Sequence, residues 1–162
     1  MKKKINNGYK ILENYNCFGC SPDNKIGLKM VFIDNGEFVE SKWTPTHDYE
    51  GYHNVVHGGI QATLMDEIAN WVLIDKLHVT GVTKSMKVNY LKSVFVNKGD
   101  ITIRAKVINF ENSIASVFAE ILDTDGDIRA NAEIQYFVFP DNVARKRFHF
   151  PGVEAFYLEN ID

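Results

Sequence analysis

The stretch His57-Gly58-Gly59-Ile60-Gln61-Ala62-Thr63-Leu64-Met65-Asp66-Glu67 decides how this chain is read. A histidine and two glycines stand at the mouth of a strongly apolar segment, which then carries two adjacent carboxylates. Ile60, Leu64, Ile68 and Trp71 lie at helical spacing, as do Met65, Ala69, Val72 and Leu73, so one long helix is expected over about 59–77. Its apolar residues cover more than a narrow stripe, which requires enclosure on most sides. Asp66 and Glu67 have no packing reason to be there, because an ionised carboxylate is costly to bury unless it is paired or put to use.

The flanking sequence supplies the wrapper. Upstream, Leu28-Lys29-Met30-Val31-Phe32 reads as a strand within 27–33. Asp34-Asn35-Gly36 is a hairpin signal, because Asn-Gly takes the positive φ angles of a tight turn. A second strand over 37–44 and a long loop over 45–56 lead into the helix. Downstream, 82–91, 100–110, 113–123 and 127–139 are rich in β-branched and aromatic residues. Ile101, Ile103, Ala105 and Val107 alternate with Thr102, Arg104 and Lys106, the mark of a half-buried strand. The expected class is therefore α+β, a long central helix wrapped by a curved antiparallel sheet of about six strands. Phe95, Phe118 and Tyr136 are expected to emerge on the outer face, which favours an oligomer. Residues 1–16 read as an arm, 17–140 as the domain, and 141–162 as a polar, then aromatic, tail.

Composition narrows the function. The 162 residues, 45% of them hydrophobic, suffice for one domain with a sizeable core. A net charge of -3 argues against a nucleic-acid partner. Lys2-Lys3-Lys4 and Arg145-Lys146-Arg147 read as solvated patches. No apolar run follows the first of these, so no secretory leader is expected. Nothing approaches the ~18 consecutive apolar residues of a membrane span, so no membrane partner is expected either. With only two cysteines, disulfides cannot be the main support, and the cytoplasm is the expected compartment.

The order of elements, with His57-Gly58-Gly59 opening the helix and Asp66 nine positions after the histidine, resembles the hotdog-fold acyl-CoA thioesterase superfamily. The nearest branch is the one that includes the phenylacetate-pathway thioesterases. The resemblance covers about 17–139. Val88-Asn89-Tyr90-Leu91-Lys92-Ser93-Val94 is similar to a strand end that usually reads Tyr-x-(Arg/Lys)-Pro-Val, with Ser93 in place of the proline. Cys17-Phe18-Gly19-Cys20-Ser21-Pro22-Asp23-Asn24 with Gly27-Leu28 is similar to a leader found before this domain in many relatives. The resemblance implies hydrolysis of an acyl-CoA thioester to free acid and coenzyme A, with no metal and no cofactor, coenzyme A being part of the substrate. It also implies a homodimer or a dimer of dimers, in which the helix mouth of one subunit faces the acid of its neighbour.

The resemblance assigns Asp66 as nucleophile or general base and aligns Thr83 with a hydroxyl that orients the attacking water. The start of a helix offers unpaired amides and a favourable dipole. The Gly58 amide is accordingly the expected oxyanion donor, with Gly59 admitting the substrate beside it. Glu67 is the rival acid, but it points about 100° around the helix from Asp66; otherwise it pairs with a strand Lys or Arg. His57 either polarises the carbonyl or shapes the turn. Some relatives place an asparagine where this chain has Gly51; Asn54 lies nearer and is the candidate substrate contact. Lys92 is the best of Lys87, Lys92, Lys98 and Arg104 for the coenzyme A phosphates, the competing reading being a solvated strand edge. Cys17-x-x-Cys20 invites a metal or a redox reading, but zinc needs four ligands and His47 or His53 would have to complete the set. Packing or a turn is the favoured role. A non-catalytic acyl-CoA-binding or sensing module is the rival function.

Overall fold

The computed structural model describes residues 2–157; Met1 of the expected arm and 158–162 of the expected tail lie outside them. The apolar segment forms α1, Gly58–Val72, continued by a π-helical turn over Leu73–Leu77. Leu64, Met65, Ile68, Ala69, Trp71 and Val72 are all buried, as an apolar surface wider than a stripe requires.

Seven strands surround it: β1 Lys3–Ile5, β2 Phe32–Asp34, β3 Val39–Trp43, β4 Gly81–Tyr90, β5 Ile101–Glu111, β6 Ile114–Leu122 and β7 Ile128–Val138. They form one antiparallel sheet in the order β1-β2-β3-β5-β6-β7-β4. This is the hotdog architecture, with seven strands where about six are expected from sequence. The additional strand is β1. Its lysines point to solvent, yet Ile5 is buried and pairs with Phe32.

Inward positions alternate along much of β3, β5, β6 and β7, and many are small. Ala105, Ala115, Ala119, Ala130 and Ala132 leave room for α1 to lie close on the sheet. In β7 the inward set is Ala130, Ala132, Ile134, Tyr136 and Val138, so Tyr136 faces the helix and is 1% exposed. That corrects the expectation of an outward Tyr136; the next residue, Phe137, emerges instead.

The strand expected over 27–33 is mostly irregular. The amides of Leu28 and Met30 donate to the carbonyls of Phe18 (2.7 Å) and Gly19 (2.9 Å) rather than to a neighbouring strand. Lys29 takes a left-handed φ of 54°, which breaks the ladder. The hairpin turn forms at the expected place, with Gly36 at φ 78° and its amide bonded to Asp34 Oδ1 at 2.8 Å.

The described residues near both ends pack back onto the domain. A second helix, α2 Asp141–Phe148, follows β7. Beyond it Phe150 and Phe156 are buried, and Phe156 lies edge-on to Tyr9 and to Trp71 with ring centroids 5.4 Å apart in each case. Among the described residues, no helix is long and apolar enough to cross a membrane.

Candidate active site

The mouth of α1 is organised by its own cap. The first bond of the helix runs from the Gln61 amide to the His57 carbonyl (3.0 Å), so the amides of Gly58, Gly59 and Ile60 precede the helical ladder. The Gly59 amide donates to Nδ1 of His57 at 2.9 Å. The histidine ring is thus an N-cap, and Gly59 is engaged by the cap rather than presented to a ligand. The Gly58 amide stays at the rim. Its carbonyl accepts from the Tyr90 hydroxyl at 2.8 Å, which ties the helix start to the end of β4. A cleft of about 670 Å³ opens here, lined by Tyr52, Val55, His57, Gly58, Tyr90 and Lys92.

Asp66 is held by two hydroxyls from the sheet. Thr83 donates to its Oδ1 at 2.9 Å, and the Tyr136 hydroxyl stands 2.7 Å from the same oxygen and 2.6 Å from the Asp66 carbonyl. Thr83 and Tyr136 are directly opposed across β4 and β7, which puts both side chains on one face. The register shifts between Thr83 and Ser85, a bulge of the kind that re-aims side chains at sites. Burial, reinforced by the Asp66 charge, pushes the Tyr136 phenol well above its usual pKa, so it remains a donor. Both hydroxyls address Oδ1.

Glu67 belongs to a different neighbourhood. It accepts from Trp71 Nε1 at 3.1 Å, and Cys17 Sγ stands 3.7 Å from each of its carboxylate oxygens. It makes no pair with a strand Lys or Arg among the described residues, which corrects that expectation. Burial pushes its carboxyl up to about 7, with Cys17 adding to the rise. The bond from Cys20 draws the Cys17 thiol down to about 5 against the opposing effect of burial, and Cys20 is pushed up correspondingly.

The remaining sequence candidates are spread out. Asn54 is bonded to Asn97 in both directions, at 2.9 and 3.0 Å, and shapes the loop. Lys92 is exposed on the rim of the cleft. Arg104 is bonded to Glu120 at 2.6 Å and lies over the Phe38 ring, away from the cleft. His47 binds Glu50 at 2.6 Å and His53 is exposed. Along α1 the eight residues from Gly58 to Asp66 correspond to roughly 12 Å. The two are too far apart to act on one carbonyl within a single chain. Tyr136 is the site residue that the sequence reading missed, although the alternation Ala130, Ala132, Ile134 placed it on the inner face.

Sheet, central helix and capped helix mouth define a hotdog-fold protein. Comparison with known proteins agrees: the model described as the thioesterase superfamily matches residues 53–130. A protein of Saccharolobus solfataricus, by name an esterase, is 26% identical over 125 residues, covering 75% of this chain and 85% of that one. Among solved structures, the thioesterase superfamily protein RHA08564 superposes with a TM-score of 0.68 at 21% identity, over 74% of this chain and 58% of that one. The smu.793 protein of Streptococcus mutans UA159, solved bound to acetyl CoA, gives a TM-score of 0.64 at 21% identity, over 79% of this chain and 95% of that one.

Proposed function

We propose that the protein is an acyl-CoA thioesterase of this superfamily, in the branch similar to the phenylacetate-pathway enzymes, working as a homodimer or dimer of dimers in the cytoplasm. The observation that carries this reading is Asp66. This carboxylate on a largely apolar helix has one oxygen held by Thr83 and Tyr136, while no hydrogen bond reaches the other among the described residues. In the reaction, Oδ2 takes a proton from water as the hydroxide adds to the thioester carbonyl. The amide of Gly58, supplied by a second copy because its own lies roughly 12 Å away, receives the oxyanion. As the C–S bond breaks, the proton on Asp66 passes to the departing thiolate, giving free acid and coenzyme A. The cleft at Tyr52, Tyr90 and Lys92 would take the carrier, with Lys92 at its phosphates. No metal or added cofactor enters these steps. The acetyl CoA bound to the S. mutans protein supports the ligand class.

The test is thiol release from short, long and aromatic acyl-CoAs by wild type and Asp66→Asn. Turnover in the wild type with a loss of ~10²–10⁴ in the variant is expected of a general base. Binding of acyl-CoA without turnover would transfer the protein to the sensor reading, and unchanged turnover in Asp66→Asn would dismiss the assigned acid.

A further inference from the structure

The Cys17-x-x-Cys20 leader and Glu67 play no part in the hydrolysis described above, yet they converge. The two sulfurs and a Glu67 oxygen all lie within 4.8 Å of one another. Cys17 Sγ is equidistant, at 3.7 Å, from both carboxylate oxygens. Bond lengths of about 2.3 Å to sulfur and 2.0–2.2 Å to oxygen in a tetrahedral zinc site put neighbouring S and O ligands roughly 3.5 Å apart. The observed spacing is close to that value.

We propose that Cys17, Cys20 and Glu67 form a binding site for a zinc-class divalent cation that clips the leader to the central helix. Four further observations support it. The backbone amides of Gly19 and Cys20 point at Cys17 Sγ, so the loop wraps its sulfur in donors. A Cβ at Gly19 would fall on the Glu67 carboxyl as it stands, so the leader packs directly against the carboxylate there. Among the described residues, no Lys or Arg forms an ion pair with Glu67, so a cation is what this acid lacks. Finally, a cavity of about 280 Å³ touches all three groups and also Asn70, one helical turn beyond Glu67, whose buried Oδ1 has no hydrogen-bond partner. The cavity side therefore offers the fourth position. On binding, the cation joins two thiolates and one carboxylate, whatever protons these three groups hold pass to solvent, and the cluster is left with a net charge of -1.

The pair of sulfurs selects a soft, thiophilic metal over magnesium or calcium, which prefer oxygen cages. The site explains why a half-buried carboxylate stands beside two thiols, an arrangement that packing alone does not require.

The test uses the full chain, reduced and stripped with a chelator, titrated with Co²⁺ as a spectroscopic probe and then with Zn²⁺. Expected are uptake of about one cobalt ion per chain, a thiolate-to-cobalt charge-transfer band with the visible bands of tetrahedral cobalt, and loss of both on adding zinc. Cys17→Ser and Cys20→Ser should each weaken or abolish the charge-transfer band. Outer partners alone change metal affinity 10–100-fold, so Glu67→Gln should weaken uptake by roughly tenfold or more. A wild type that is folded by circular dichroism, with both thiols titratable, and that shows no charge-transfer band overturns the proposal. So does a chain that forms a reversible Cys17–Cys20 disulfide but takes up no metal. Hydrolysis is not among the readouts, so the result stands apart from the thioesterase assignment.

Discussion

The phenol oxygen of Tyr136 lies 2.7 Å from Oδ1 of Asp66, a contact between residues 70 positions apart that joins the last strand to the middle of the central helix. Thr83, opposite Tyr136 in the sheet, addresses the same oxygen. Two hydroxyls on one carboxylate oxygen make an oriented acid rather than a solvated one.

Tyr136→Phe keeps the ring and removes the proton that Asp66 shares. Hydrogen bonds to a charged group are worth about 1.5–3 kcal/mol, so kcat should fall by about tenfold to a hundredfold with KM little changed. Steady-state kinetics check this. A kcat equal to wild type would mean that Thr83 orients the acid unaided.

The proposed shared site makes a second prediction. Asp66→Asn and Gly58→Val are each expected to be inactive, because the first removes the acid and the second places a branched side chain beside the residue-58 amide in every site. Co-expressed, they give heterodimers in which one site combines the intact Gly58 of one chain with the intact Asp66 of the other. Random pairing in a two-fold dimer should restore about a quarter of wild-type activity. No recovery, with mixed dimers demonstrated by differential tagging, would place both groups in one chain's site.

The two roles expected of His57 can be told apart. Its ring accepts from the Gly59 amide at 2.9 Å, so His57→Ala should destabilise the protein by about 1 kcal/mol, read as a lower Tm. Asparagine caps helices well, so His57→Asn should recover most of that loss. Activity that returns with stability in the Asn variant assigns the histidine to positioning. Activity that stays low assigns the ring a part in the reaction.

Much of this was legible in the sequence because periodicity reports burial. The 3.6-residue pattern through Ile60, Leu64, Ile68 and Trp71 marked the helix, and the two-residue pattern through Ile101, Ile103 and Ala105 marked the sheet. What was hidden depended on long-range partners. Ile5 is a single buried residue among lysines, too little for a pattern, and becomes a strand only because Phe32 offers an edge. Leu28 and Met30 look like strand residues, but the leader at Phe18 and Gly19 takes their amides. For Glu67 the sequence suggests a Lys or Arg partner, because carboxylates usually pair with cations; its neighbours are thiols brought by a loop 50 residues upstream. Tyr136 was legible and misread, since the parity set by Ala132 and Ile134 already turned it inward.

Acid stability should depend on Asp34. Partial burial opposes its ionisation, but the Lys76 ammonium at 2.5 Å and the Gly36 amide at 2.8 Å outweigh it and hold the carboxyl below its usual value. A depressed folded-state pKa gives stability that is present above the ordinary aspartate value of ~3.9 and lost as pH falls through the folded value. Asp34→Asn should therefore lower Tm at neutral pH, and the gap from wild type should close as the solution is acidified below about pH 4. Thermal melts across that range check it. A gap that is constant with pH would show that the turn geometry, not the charge, is what Asp34 supplies.

Gly81 opens β4 opposite Val138, where a Cβ would collide with the backbone carbonyl of Phe137. A backbone oxygen in a paired strand cannot swing aside as a side chain can. Gly81→Ala must then push β4 away from β7 at the end that carries Thr83. Overpacking of this kind costs about 1–3 kcal/mol, so a lower Tm is expected. Activity should fall further than the stability loss explains, because the Thr83 hydroxyl is carried off Oδ1 of Asp66 with the strand. Kinetics measured well below Tm separate the two effects. A Gly81→Ala variant that is destabilised yet turns over like wild type would show that the bulge after Thr83 absorbs the displacement.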